Sequence, residues 1–366
     1  MSGKKRQLQA NDNAPNKHGR RRSSIASLLA NEKLPRRCEP PPSGHVVAGL
    51  DPIKGYDTTD SLVVGTGAFA VVRLAKDTQG NYVAIKTIRS TVSPKRIAME
   101  IKLMQHLSKD CRNIMPLLNG FRSGGLVSLV MPYIHFEQFR VLKDTLAADS
   151  LRCRMYICRL MEAIAHLHKH GIVHRDIKPD NFLCNFGDEN GHGAQFFLSD
   201  FGLAAAVEEE EDATQGILSD LALPATPHSR AGTRGFRAPE LLLQCSHSTK
   251  ADVWSVGVIM LSAITGRYPF FQSPSDLDGL AEIAALLGST PLKAMAWKYN
   301  KNLRLPHFRQ KKPLSRICIE LQQRPLGAYD NDAYDLLQRM LTLDPEKRIS
   351  AADALDHPFL QPLRYN

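Results

Sequence analysis

The chain has 366 residues, of which 23 % are charged and 43 % hydrophobic, and carries a formal net charge of +10. That length can bury two sizeable cores. No apolar run approaches the ~18 residues of a membrane span, and the seven cysteines are scattered without a Cys-x-x-Cys pair, which excludes a disulfide framework or zinc site and favours a reducing compartment.

The charge is unevenly spread. Residues 1–37 hold ten Lys or Arg against Asp12 and Glu32, so +8 lies in that stretch and +2 in all the rest. The near-neutral remainder speaks against a nucleic-acid-binding domain. Residues 1–50 are polar, lack apolar periodicity and read as a disordered basic tail with a proline-rich linker from Pro35 to Pro42. Lys4-Lys5-Arg6 and Arg20-Arg21-Arg22 are either a nuclear-import signal or a solvated basic arm. Ser23 and Ser24 follow the arginines as sites for a basophilic kinase, and no secretory apolar region is present.

The first segment that carries chemistry is Gly65-Thr66-Gly67-Ala68-Phe69-Ala70-Val71-Val72, between two apolar, β-branched stretches. It predicts a glycine-rich hairpin whose small residues let backbone N–H groups approach phosphates. Ala70 stands where such loops usually have a third glycine, and keeps the position small. A strand follows, not a helix, which argues against a dinucleotide-binding turn. That strand, Val83-Ala84-Ile85-Lys86, ends in a lysine suited to α- and β-phosphates. Fourteen residues on, Glu100 lies in a helical pattern from about Pro94 to Leu107, with Ile97, Ile101, Met104 and Leu107 spaced as a buried face. Glu100 is then placed to hold Lys86 as an ion pair.

Next comes His174-Arg175-Asp176, continuing through Lys178 to Asn181, and then Asp200-Phe201-Gly202. Asp176 offers a base, and Asn181 and Asp200 offer metal ligands. These are the parts needed to move a phosphoryl group from magnesium-ATP to a hydroxyl. Gly187–Gly193 reads as a turn between short strands, and Leu151–Lys169 and Asp252–Thr265 as long core helices. Between Asp200 and Glu240 lie the acidic run Glu208–Asp212 and the hydroxyls of Thr214, Ser219, Thr226, Ser229 and Thr233. Ser289–Arg324, with Lys293, Lys298, Lys301, Arg304 and Lys311-Lys312, is a basic surface that either docks a partner or is solvated charge.

Each motif is weak alone, but five in this order over about 140 residues are not chance. From about Tyr56 to Leu360 the chain resembles the eukaryotic protein kinases. The resemblance implies an α+β, bilobal protein-kinase fold: a small β-rich lobe with one main helix over 56–131, a hinge at 132–135 and a larger helical lobe over 136–360. It implies ATP and Mg2+ as cofactors. Residues 65–70 would cover the phosphates, with Val72 and Ala84 above the adenine and Leu183 below. Pro132 and Ile134 would offer backbone groups to its edge, and Met131 would line the back as a flexible plug. Asn181 and Asp200 would hold the metal, Asp176 would accept or orient the substrate proton, and Lys178 would stabilise the transferring phosphate. A lysine at that place is the serine/threonine pattern.

The segment Gly232–Glu240 resembles the end of an activation segment, with Glu240 expected in a buried ion pair with Arg348 and Asp252 expected to accept bonds from the catalytic loop. Arg175 would bind a phosphate on the activation segment; the acidic run either mimics that phosphate or is a solvated loop. Arg230, Arg234 and Arg237 crowd the region for the residue after the acceptor, which predicts Ser or Thr followed by an acidic or phosphorylated residue. The alternative is a structural Arg237 and a solvent-facing Arg234.

Within the kinases, Met131-Pro132-Tyr133-Ile134, Gly171–His174, Asn181–Leu183, Gly235–Arg237, Gly266–Phe271 and Asp276–Ile283 resemble the cell-division-cycle-seven type, which fires replication origins in S phase with an activating regulatory subunit. The cyclin-dependent and casein types are less similar. This resemblance implies protein substrates, an activating regulatory subunit, a cell-cycle and DNA-replication role, and a nuclear location, otherwise cytoplasmic. The near-neutral charge of the body predicts no direct nucleic-acid binding by the kinase domain, and the lack of a long apolar run predicts no membrane. Members often carry long insertions that dock the subunit, and this chain is compact. A pseudokinase scaffold and a kinase acting on small molecules or lipids are the other classes. Intact Lys86, Glu100, Asp176, Asn181 and Asp200 argue against the first, and the segment Gly232–Glu240 against the second.

Overall fold

A computed structural model describes residues 55–57, 62–188, 191–207, 232–245, 248–308, 312–322 and 329–363. The basic tail and linker, Arg230, the acidic run and the hydroxyls from Thr214 to Ser229 lie outside the described residues.

Six strands near the N-terminus form one antiparallel sheet: β1 (Tyr56–Asp57), β2 (Val63–Thr66), β3 (Ala70–Asp77), β4 (Tyr82–Ile88), β5 (Asn119–Ser123) and β6 (Leu126–Pro132). Their path is β1-β3-β4-β6-β5, with β2 also on β3. Local chemistry sets both tight turns. Asp77 closes the β3–β4 turn by accepting from the backbone of Gln79 and Asn81 at 2.9 and 2.8 Å. Gly124 and Gly125 both take positive φ, 57° and 78°, which a two-residue turn compatible with strand twist requires. The register puts Lys86 opposite Val72 and Leu129, and Ala84 opposite Met131. Side chains alternate along a strand, so Val72, Ala84, Lys86, Leu129 and Met131 share one face. Ala75, Val83, Ile85, Phe121 and Val130 pack as a separate small core.

Helix α1 (Pro94–Leu107) begins where the Ser93 hydroxyl accepts from Arg96 N and Pro94 takes the first turn. Its buried residues are Glu100, Leu103, Met104 and Leu107. Ile97 and Ile101, expected on the buried stripe, are only half-buried. The stripe is rotated because Glu100 points inward to an ion pair, which apolar spacing alone does not register.

The second lobe is helical: α2 (Phe139–Ala148), α3 (Ser150–Lys169), α4 (Pro239–Leu242), α5 (Lys250–Thr265), α6 (Asp276–Leu287), α7 (Ser289–Lys298), α8 (Leu314–Leu321), α9 (Asn331–Met340) and α10 (Ala351–Leu355). Every residue of α5 from Ala251 to Thr265 is buried, and α2, α3, α8 and α9 pack around it. A helix apolar on all sides belongs at the centre of a lobe. Two small strand pairs lie in this lobe. β7 (Ile172–Val173) pairs with β10 (Ala205–Ala206), and β8 (Phe182–Asn185) with β9 (Gln195–Leu198). The loops leaving β7 and β9 carry Asp176 and Asp200.

Candidate active site

The sheet face bearing Lys86 roofs a cleft. Lys86 Nζ lies 2.6 Å from Glu100 Oε1 and 2.8 Å from Asp200 Oδ1. This joins the sheet, α1 and the loop after β9 through one cation. Burial works against the Lys86 charge, but the two carboxylates outweigh it and its pKa lies above the ordinary value. Burial likewise works against charging Asp200, yet Lys86 holds its carboxyl below the usual range. Asp200 adopts a left-handed backbone with φ 66°, which turns its side chain back into the cleft. Arg96 Nε reaches the carbonyl of Gly202, a second link between α1 and this loop.

Opposite stands Asp176, only 7 % exposed. Its Oδ2 accepts from Lys178 Nζ at 2.7 Å and Asn181 Nδ2 at 3.2 Å. Its Oδ1 accepts from the backbone N–H and hydroxyl of Thr233 at 2.9 and 3.0 Å. Lys178 also donates to the Thr233 hydroxyl at 3.1 Å. Asn181 Nδ2 donates again to the carbonyl of Asp176 at 2.8 Å, which leaves its Oδ1 as the group that can meet a cation.

Asp252, at the start of α5, is 1 % exposed. It accepts from the backbone N–H groups of His174 and Arg175, both at 2.9 Å, and lies 3.0 Å from His168 Nε2. Burial opposes its charge, but His168 and the backbone donors outweigh that, and its pKa is lowered. The loop so held places Arg175 at φ 67°, its guanidinium on the carbonyl of Leu203 at 2.6 Å. Burial lowers the Arg175 pKa, with Arg96 adding to the effect and Asp252 opposing it.

The cleft has two adjoining chambers. The inner, about 200 Å³, is lined by Val72, Ala84, Met131, Pro132, Ile134 and Leu183, among others. Tyr133 of the hinge also lines it, as do Val64, Met115, Phe136 and Ser199, which belong to none of the sequence motifs. The outer chamber, about 650 Å³, runs under Gly65, Thr66, Gly67, Ala68, Phe69 and Ala70 to Asp176, Lys178, Asn181 and Asp200. Gly65 and Gly67 avoid the left-handed region, and a Cβ on either would meet only ordinary contacts. Their value to a phosphate is therefore openness above the loop, not backbone freedom.

The end of the activation segment lies beside this cleft. Arg348, with its side chain fully buried, forms a two-pronged pair with Glu240 at 2.7 and 2.9 Å. It also donates to the carbonyls of Thr342, Lys250 and Leu343 and lies over the Trp254 ring. Arg237 is mostly buried and bonds Asp276 at 3.1 Å and the Gly232 carbonyl at 2.9 Å. Arg234 is half-exposed and donates to Pro274 O at 2.6 Å, with Asp276 3.6 Å away. Asp276 thus partly neutralises the arginine pair; from sequence it carried no such signal.

Among the described residues, no group of three or more His, Cys, Asp or Glu could hold a metal, and no helix is long and apolar enough to cross a membrane.

A model of the protein kinase domain matches residues 59–360, and the chain belongs to that family. Within it, the chain resembles the cell-division-cycle-seven kinases. It is 38 % identical over 332 residues to "Probable cell division control protein 7 homolog 2" of Encephalitozoon cuniculi, covering 82 % of this chain and 91 % of that one. It is 34 % identical over 318 residues to "Cell cycle serine/threonine-protein kinase hsk1" of Schizosaccharomyces pombe, covering 76 % and 61 %. A more distant similarity, 30 % over 316 residues, reaches "Mitogen-activated protein kinase 4" of Arabidopsis thaliana, covering 82 % and 76 %.

Proposed function

We propose that this chain, a serine/threonine protein kinase, transfers the γ-phosphoryl group of magnesium-ATP to hydroxyls on protein substrates. One observation carries the reading: the Lys86 ammonium is held between Glu100 and Asp200, facing Asp176 and Lys178 across the same cavity. Lys86 then meets the α- and β-phosphates, and the loop Gly65–Ala70 closes over them. Val72, Ala84, Leu183 and Met131 enclose the adenine, whose edge meets backbone groups of Pro132 and Ile134. The donor set fits magnesium, a hard cation that takes one or two protein oxygens and completes its shell with water and phosphate. Asn181 Oδ1 and the Asp200 carboxylate are those oxygens, and the ion neutralises charge on the phosphates when bound. Asp176 orients the acceptor hydroxyl and takes its proton, and Lys178 stabilises the moving phosphoryl group. Each group is fixed in advance by a partner named above, so positioning supplies most of the acceleration.

Arg234 and Arg237, which share the carboxylate of Asp276, favour an acidic or phosphorylated residue after the acceptor. A cell-cycle role in replication, a nuclear location and an activating regulatory subunit extend to this chain from its resemblance to the cell-division-cycle-seven kinases; co-purification with mass spectrometry tests the subunit. Calorimetric titration with ATP tests the cofactor reading. Binding should tighten with Mg2+, and Asn181→Ala should abolish that gain; equal affinity with and without Mg2+ would refute it. A peptide array in which acidic residues after the acceptor bring no advantage would refute the substrate preference.

A further inference from the structure

The basic stretch singled out in the sequence has no part in phosphoryl transfer. Residues 289–324 contain nine Lys or Arg and one acidic residue, Glu320, for a net +8. With the +8 of residues 1–37 also removed, the remainder of the chain carries −6. The near-neutral body is therefore an acidic domain bearing a concentrated cationic island. Six of the nine cations lie among the described residues.

The described part of that island borders a groove of about 840 Å³, larger than either chamber of the catalytic cleft, away from that cleft and between α6, α7, α8 and α9. Its floor is apolar: Leu287, Met295, Leu341 and Leu343. Three lysines, Lys298, Lys312 and Lys347, and one carboxylate, Asp344, stand around it. Two already grip carboxylates: Lys298 lies 3.1 Å from Asp344 and 2.7 Å from Glu346, and Lys312 lies 2.6 Å from Glu320. Lys347 has no ion pair among the described residues. On the same helix as Met295 but outside the groove's lining, Trp297 is 78 % exposed, the highest value among the described large hydrophobic residues. Aromatic side chains are enriched at protein interfaces.

We propose that this groove docks an acidic peptide segment of a partner protein, with large apolar side chains in the groove and carboxylates on the lysine rim. An apolar floor serves no phosphodiester backbone, whereas a rim that binds carboxylates over such a floor complements an acidic amphipathic segment. The inference goes beyond the catalytic reading and stands independently of it.

The test is selection from a random 16-residue peptide display library on the full chain, counter-selected against a Lys347→Glu/Ala294→Arg variant. Both residues are exposed and line the groove, and neither belongs to the catalytic machinery. Enriched peptides should combine several Asp or Glu with two or more Leu, Ile or Phe. A synthetic copy should bind the variant at least about 10-fold more weakly, a loss of about 1.4 kcal/mol, while both proteins share one melting temperature. Binding of a 30-base-pair DNA duplex should not depend on Ala294. Failure to enrich, enrichment of peptides lacking acidic residues, or equal binding to wild type and variant would overturn the proposal. So would DNA binding that is lost in Ala294→Arg alone.

Discussion

Thr233 places both its backbone N–H and its hydroxyl on one oxygen of Asp176, at 2.9 and 3.0 Å, and takes a bond from Lys178 at 3.1 Å. A residue from the end of the activation segment thus completes the hydrogen bonding of the proposed base. Thr233→Ala keeps the N–H bond and removes the hydroxyl. It should lower kcat by about 10- to 100-fold, the scale of a small misplacement of a catalytic group, with KM for ATP unchanged. Thr233→Ser should recover most of the rate. Equal rates for the alanine variant and wild type would show that the hydroxyl is dispensable.

Gly232 sits at φ +88°, and a Cβ there would overlap the carbonyl oxygen of Arg175. No rotamer relieves a clash with backbone, so Gly232→Ala must move either the segment or the catalytic loop. Activity should fall more steeply than the melting temperature, because the strain falls on the backbone that carries Asp176. A variant with full activity would contradict the tight packing of these two loops.

The Glu240–Arg348 pair is deeply buried and bidentate. Removing one partner strands the other charge, at a cost of about 3 to 5 kcal/mol. Arg348→Lys cannot reproduce the fork or reach the three carbonyls, so it should destabilise nearly as much as Arg348→Ala. Denaturant unfolding measures both, and a lysine variant within about 1 kcal/mol of wild type would show that charge alone suffices.

Proton linkage at the Lys86–Asp200 contact gives a pH signature. Asp200 is held below its ordinary pKa, so its contribution is complete above that value and is lost as pH falls through the lower folded value. Lys86 is held above its ordinary pKa, so its contribution is complete below 10.5 and is lost as pH rises through the higher folded value. The difference in unfolding midpoint between wild type and Asp200→Asn should therefore be flat from about pH 5 to 9 and close below about pH 4. A difference that changes through neutral pH would point to another titrating group.

The site was legible where chemistry is written in short strings. Lys86, Asp176, Asn181 and Asp200 stand in motifs whose spacing fixes which loops carry them, and one cleft gathers them. Contacts made only by the folded chain left weaker traces. Thr233 read as one hydroxyl among several, because nothing in its neighbours reveals that Gly232 brings it onto Asp176. Asp276 read as part of a family-like string, and only the fold sets it against Arg234 and Arg237. The buried stripe of α1 was displaced because an inward-facing glutamate does not count as apolar. The basic character of residues 289–324 was visible, but the groove that gives it a use requires α6 and α9, which lie outside that segment.

Transfer of labelled phosphate from magnesium-ATP to an acidic serine/threonine peptide, with wild type beside Asp176→Asn, tests the central claim most directly. Wild type should phosphorylate the peptide at least about 10²-fold faster than the variant, the contribution expected of a positioned base, with both proteins equally stable and equally able to bind ATP. Equal transfer by the two, or none by either in the presence of the co-purifying subunit, would contradict the assignment of this cleft as a phosphotransferase site.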